Sequence, residues 1–133
     1  MSIDAQGGCL CGDIRYRITG EPLETSLCHC RSCRRAAGAP VVAWVVVRRE
    51  HFRIEQGVPT TFRSSPPVER TFCGRCGTSL TYRHDDSPAS IDIQTATLDA
   101  PDAFAPRREI WLDEKLAWMP RDERLEPYPR GSP

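Results

Sequence analysis

The residues best suited to chemistry are seven cysteines in three groups: Cys9 and Cys11 as C-x-C, Cys28, Cys30 and Cys33 as C-x-C-x-x-C, and Cys73 and Cys76 as C-G-x-C. Spacings this short let a tight turn bring neighbouring thiolates into one coordination shell, with sulfur about 2.3 Å from a zinc ion. Gly74 and Gly77 add to this reading, because they permit the backbone to fold beneath a metal and turn its amides towards the sulfurs. Disulfides are the competing use of cysteine. An odd number leaves at least one unpaired within the chain, and the density is below that of secreted disulfide scaffolds. Met1 to Gly8 has no apolar segment of the kind that directs secretion. Reduced, metal-binding thiols in a cytoplasmic protein are therefore expected.

Seven ligands do not fill two closed tetrahedral sites, but they divide as four plus three. A structural zinc takes four protein ligands, whereas a catalytic zinc keeps one position open. Spacing alone does not say which four. The economical division joins Cys9, Cys11, Cys73 and Cys76 into a closed site that staples the first strand to a later hairpin. It leaves Cys28, Cys30 and Cys33 as an open, catalytic site, for up to two Zn²⁺ per chain. His29 lies between two of these cysteines, yet adjacent side chains in a C-x-C turn point apart, so it is expected outside the ligand shell. Arg31, Arg34 and Arg35 surround the three-cysteine group, and Arg70 and Arg75 flank the four-cysteine group. Cations there favour deprotonated thiols. Asp13, Asp85, Asp86 and Asp99 read as turn and capping residues, and His51 and His84 as solvated, so no general base is assigned.

These ligands must be positioned by strands. Ile14, Tyr16 and Ile18 alternate with polar residues, the period of a strand with one buried face. The run Val41 to Val47 is almost wholly apolar and β-branched, which predicts a central strand. Phe52, Ile54 and Phe62 read as short strands around a turn at Gly57-Val58-Pro59, and Ser64 to Pro67 as a loop. Arg70 to Phe72 and Leu80 to Tyr82 flank Cys73 and Cys76, placing that pair at a hairpin tip. Ile91, Ile93, Thr95 and Thr97 predict another strand. Prolines at 101, 106, 120, 127 and 129 exclude a long C-terminal helix. Trp111 and Trp118 are expected to pack the end of the chain onto the sheet, with Tyr128 to Pro133 frayed.

The expected fold is thus mainly β. A chain of 133 residues suits one zinc-binding domain over 1–133, with a core at about 7–120 and a tail at about 121–133. Lys+Arg and Asp+Glu are both 18, so no net field draws the chain to nucleic acid. No stretch approaches the roughly 18 apolar residues of a membrane helix. There is no H-E-x-x-H, P-loop or dinucleotide fingerprint.

The segments G-G-C-L-C-G-D-I-R-Y, C-H-C-R-S-C-R-R-A-A-G and T-F-C-G-R-C-G-T-S-L together resemble the glutathione-dependent formaldehyde-activating enzyme family, which shares its domain with centromere protein V. The likeness runs from about Gly7 to Trp118. It implies an Mss4-like β-tent of small antiparallel sheets, a structural zinc at Cys9, Cys11, Cys73 and Cys76, and a catalytic zinc at Cys28, Cys30 and Cys33. The implied activity is that of a carbon–sulfur lyase acting on adducts of a small thiol, glutathione or similar, with an aldehyde such as formaldehyde. One departure is Glu109, where many family members carry a histidine. The rival reading is a non-catalytic module, held together by zinc, that binds a macromolecule. The two are told apart by whether the three-cysteine group opens into a pocket.

Overall fold

The computed structural model describes residues 3–132; Met1, Ser2 and Pro133 lie outside the described residues. Strands β1 (Asp4–Gly8), β2 (Arg15–Thr19) and β5 (Phe52–Gln56) form a three-stranded antiparallel sheet in the order β1-β2-β5. The other strands are β3 (Glu24–Cys28), β4 (Val42–Arg48), β6 (Thr60–Ser65), β7 (Val68–Phe72), β8 (Ser79–His84), β9 (Ser90–Gln94), β10 (Arg108–Ile110) and β11 (Glu126–Pro127). They form one sheet in the order β11-β10-β3-β4-β9-β8-β7-β6, antiparallel except that β10 runs parallel to both its neighbours. No helix of the structure is long and apolar enough to cross a membrane.

The alternation of β4 explains why its run is apolar on both sides. Val45 and Val47 join Tyr16, Ile18, Ile91 and Ile93 in the core that also holds Leu98 and Phe104. Val42 and Trp44 point the other way, into a second cluster with Cys28 and Cys33. That second face is covered by helix α1 (Arg31–Ala37), Ile110 and Trp111, so β4 has no solvent face to pattern. Residues 31–37 contain no proline or glycine, and Cys30 caps the helix by accepting the Cys33 N–H on Sγ at 3.3 Å. Gly38, left-handed at φ 64°, ends it.

Several expected boundaries move. Phe52 and Ile54 lie in β5 and Phe62 in β6, but these strands belong to different sheets, and Phe62 is exposed. Ser64 and Ser65 complete β6, leaving Pro66-Pro67 to make the turn. Thr95 to Thr97 leave the line of β9 in a 3₁₀ turn, where Thr97 Oγ1 donates to the Gln94 carbonyl at 2.8 Å and lies 2.6 Å from Tyr16 Oη. Trp118 is 70% exposed and does not pack onto the sheet, whereas Trp111 does. The chain end is also tied down further than expected. Trp111 N–H donates to the Arg130 carbonyl at 2.9 Å and Leu112 N–H to that of Tyr128 at 3.2 Å. These bonds hold Trp111 at φ 59°, the one non-glycine residue with positive φ among the described residues. A left-handed non-glycine costs roughly 1–2 kcal/mol, so the strap works against a strained backbone.

Gly7 is required by close approach. A Cβ there would stand 2.4 Å from Tyr16 Oη and 2.6 Å from the Thr97 carbonyl oxygen. We expect Gly7→Ala to cost about 1–3 kcal/mol, read as a lower urea midpoint with an unchanged m-value.

Candidate functional site

Two turns bring the first cysteine cluster together. In one, Cys9 follows β1, Gly12 turns the chain at φ 83°, and the Ile14 N–H donates to Cys9 Sγ at 3.2 Å. In the other, Cys73 follows β7, Gly77 turns at φ 83°, and the N–H groups of Arg75 and Cys76 both donate to Cys73 Sγ at 3.4 Å. Gly74 acts differently from its expected turning role: a Cβ there would meet Thr60 Oγ1 at 2.6 Å. The turns are tied by Leu10 N–H donating to Thr78 Oγ1 at 3.0 Å and by Arg75 with Asp13 at 3.0 Å.

The sulfurs of Cys9, Cys11, Cys73 and Cys76 all lie within 4.8 Å of one another, with Cys9–Cys11 at 3.6 Å and Cys11–Cys73 at 3.8 Å. Four sulfurs at about 2.3 Å from a common centre stand about 3.8 Å apart, so this spacing fits a tetrahedral metal shell. Charge argues the same way. Hydrogen bonds from Thr78 hold Cys76 down at about 5, while Cys11, whose thiolate is favoured by the Asp13 amide, is nonetheless pushed up to about 11 by lost solvation and its neighbouring sulfurs. Thiolates packed so closely ionise together only around a cation.

Cys28, Cys30 and Cys33 form the second cluster, again within 4.8 Å. Cys28 ends β3, Cys30 is the helix cap and Cys33 lies in the first turn of α1. Hydrogen bonds from Cys28 and Cys33 favour the Cys30 thiolate; in return Cys30 and Cys33 push Cys28 up, and burial adds to it. No other described residue joins this cluster as a ligand. The three sulfurs open onto a cavity of about 300 Å³ walled by Trp44, Arg70, Tyr82, Asp92 and Trp111.

His29 lies outside both clusters and is 1% exposed; burial holds its imidazole below the usual range, which favours the neutral ring. Arg34 is occupied by the carbonyls of His29 and Glu114, and Arg31 and Arg35 are exposed. His51 is half-buried, its Nδ1 without a partner beside Gly20, and not freely solvated as expected. Arg70 is not beside the four-cysteine cluster. Its guanidinium stands 5.0 Å from the Tyr82 ring centre, with Nε donating to Ser64 Oγ at 3.2 Å and Nη2 to Cys33 Sγ at 3.8 Å. Arg70 and Cys73 are three residues apart on extended chain, an odd spacing that sends their side chains to opposite faces. Sequence analysis also passed over Asp92. It alternates with Ile91 and Ile93 and so reads as the wet side of a strand, but that side faces the cavity.

A small mainly β fold with one four-cysteine and one three-cysteine cluster, each of which could hold a metal ion, defines the class, and comparison with known proteins narrows it. The family model described as "Glutathione-dependent formaldehyde-activating enzyme" matches residues 4–114, and the chain belongs to that family. It is 31% identical over 118 residues to an uncharacterized lyase of Schizosaccharomyces pombe, covering 83% of this chain and 80% of that one. It is 28% identical over 130 residues to a Halomonas elongata protein that carries the family's name, covering 90% and 82%. A crystal structure of a Rhodobacter sphaeroides protein shares the fold, with TM-score 0.61 at 20% identity over 92% of this chain and 98% of that one.

Glu109, singled out in the sequence as a departure from the family pattern, is 1% exposed and has a structural part. Its carboxylate accepts from the Asp122 N–H and from Arg121 Nε at 3.1 Å, and lies 3.8 Å from His29 Nε2. It therefore ties β10 to the C-terminal strap, beside the buried ring of His29. Glu109→Ala leaves the half-buried Asp122 N–H and Arg121 without their acceptor and should cost about 1–3 kcal/mol. Limited proteolysis should then cut faster between residues 112 and 125, with little change elsewhere.

Proposed function

We propose that the protein is a zinc-dependent carbon–sulfur lyase-type enzyme of the cytoplasm, one domain over residues 1–133, acting on adducts of a small glutathione-like thiol with an aldehyde such as formaldehyde. The observation that carries this reading is the second cluster: three sulfurs converge at the wall of a cavity, and among the described residues no fourth protein ligand closes the set. A closed set would have favoured a purely structural, macromolecule-binding module. The names of the family and of the Schizosaccharomyces pombe and Halomonas elongata relatives support the same chemistry.

In this reading Cys9, Cys11, Cys73 and Cys76 hold a structural zinc, and Cys28, Cys30 and Cys33 hold a catalytic one. Bound at the open site, zinc supplies a positive charge that favours the thiolate form of a substrate thiol. The chain's own groups do the rest. Trp44, Ile110 and Trp111 give the pocket an apolar wall beside the three sulfurs, and the Arg70 guanidinium places a fixed cation beside Cys33. Exposed Arg35 and Arg31 remain available to the carboxylates of a glutathione-like thiol, while Arg34 is already taken up by carbonyls.

Native mass spectrometry should find up to two zinc ions per chain, the first resistant to chelators and the second labile. Cys73→Ser and Cys9→Ser should lower solubility and thermal stability sharply. Cys30→Ser should leave the melting temperature within a few degrees and abolish thiol binding; equal melting losses would refute the division of roles. With cobalt in place of zinc, glutathione should strengthen the thiolate-to-metal charge-transfer band, and S-methylglutathione should leave it unchanged. Equal responses would overturn thiol activation. Formaldehyde turnover must exceed the uncatalysed addition at the same pH and thiol concentration, or the protein is a carrier.

A further inference from the structure

The cavity beside Cys28, Cys30 and Cys33 contains one carboxyl group with no hydrogen-bond or ion-pair partner among the described residues, that of Asp92. It stands on β9, opposite Val46 of β4 and Tyr82 of β8. The charged groups around it come from every side. Glu24 on β3 repels it, although Arg108 on β10 holds Glu24 at 2.9 Å, and Arg70 on β7 attracts it without reaching ion-pair distance. Burial outweighs the attraction of Arg70, and Asp92 titrates near neutrality, at about 7. The other candidates for moving a proton in this cavity are already accounted for. Burial pushes the Tyr82 phenol up to about 12, so it stays protonated, and a guanidinium such as that of Arg70 offers no acceptor atom for a proton. Glu114 is exposed at the rim and accepts the Arg31 N–H at 2.8 Å.

Resting on the thiol–aldehyde reading of this pocket, we propose that Asp92 is the catalytic acid–base residue, carrying one proton from the substrate sulfur to the substrate oxygen. In the addition direction the Asp92 carboxylate takes the proton of the incoming thiol, leaving a thiolate. A sulfur electron pair then forms the C–S bond to the carbonyl carbon, and the C=O π pair moves onto oxygen. Arg70, whose Nη1 is buried without a partner in the cavity wall, faces that developing negative charge. Asp92 returns the proton to the alkoxide, giving the hydroxymethyl thioether and the original carboxylate. Cleavage is the reverse: Asp92 removes the hydroxyl proton, the carbonyl re-forms, the C–S pair leaves on sulfur, and Asp92 passes the proton to that sulfur. Atoms and charge balance with no further reactant.

Proton counting during thiol binding tests this without turnover. Glutathione is titrated calorimetrically into the zinc-loaded protein, in buffers of different ionisation enthalpy, at pH 6 and pH 8. Above about pH 7 Asp92 is ionised in the free protein, and the negative sulfur of the bound thiol beside it raises its proton affinity so that it keeps the thiol's proton; below that pH the site is already protonated and the proton goes to solvent. The native protein should therefore release well under half a proton per glutathione at pH 8 and close to one at pH 6. Asp92→Asn should release more than the native protein at pH 8, bind glutathione within about threefold of native affinity, and lose roughly 10²–10⁴ in the rate of adduct interconversion. Equal proton release by both proteins at pH 8 would overturn the role of Asp92 and leave the thiol-binding reading standing. Failure of the native protein to bind glutathione would overturn both. If Asp92→Asn does not fold, difference infrared spectra of the native protein decide: a protonated carboxyl band should appear on adding glutathione at pH 8, and its absence refutes the proposal.

Discussion

Sulfur atoms from two turns more than sixty residues apart in sequence share one small volume, and the rest of the fold is arranged around that constraint. Cys11 and Cys73 approach to 3.8 Å, a distance at which two thiolates repel strongly unless a cation lies between them. Metal binding by such clusters is worth ~10–16 kcal/mol in small zinc peptides, which rivals the whole stability of an ordinary domain. The turns are built for it. Each is opened by a strand end and reversed by a left-handed glycine, and its amides point at sulfur. Cys9 and Cys73 also belong to the core between the sheets, so the knot and the packing stabilise the same strands.

The large sheet separates stability from chemistry by its two faces. One face, with Val45, Val47, Ile91 and Ile93, meets the small sheet and is closed. The other carries Cys28, Trp44, Arg70, Tyr82 and Asp92 and is covered only by one short helix and the C-terminal strap. Alternation along β4 and β9 places residues of both kinds on the same rigid strands, so the pocket inherits the order of the core without sharing its dryness.

Much of this was legible where the signal is local. The cysteine groups could be read from spacing, and β4 from its run of valines, because each depends on residues within a few positions of one another. What depends on tertiary cover was not. Asp92 has the pattern of a solvent-facing residue and becomes a cavity wall only because α1 and residues 108–130 close over that face. Arg70 was placed by nearness in sequence to Cys73, but parity along the strand outweighs nearness. Trp111 and Trp118 look alike in sequence, and a left-handed turn fixed by the tail turns only the first inward.

The strap also bears on how the chain is made. The four-cysteine cluster is complete once residue 76 has left the ribosome, whereas the wall of the pocket needs Trp111 and the strap bonds made by Tyr128 and Arg130, which are synthesised well after it. During translation the nascent chain thus brings its four-cysteine cluster together well before it closes the wall of the pocket. The three-cysteine group spends that interval uncovered, its thiols open to the surrounding solvent until the strap arrives.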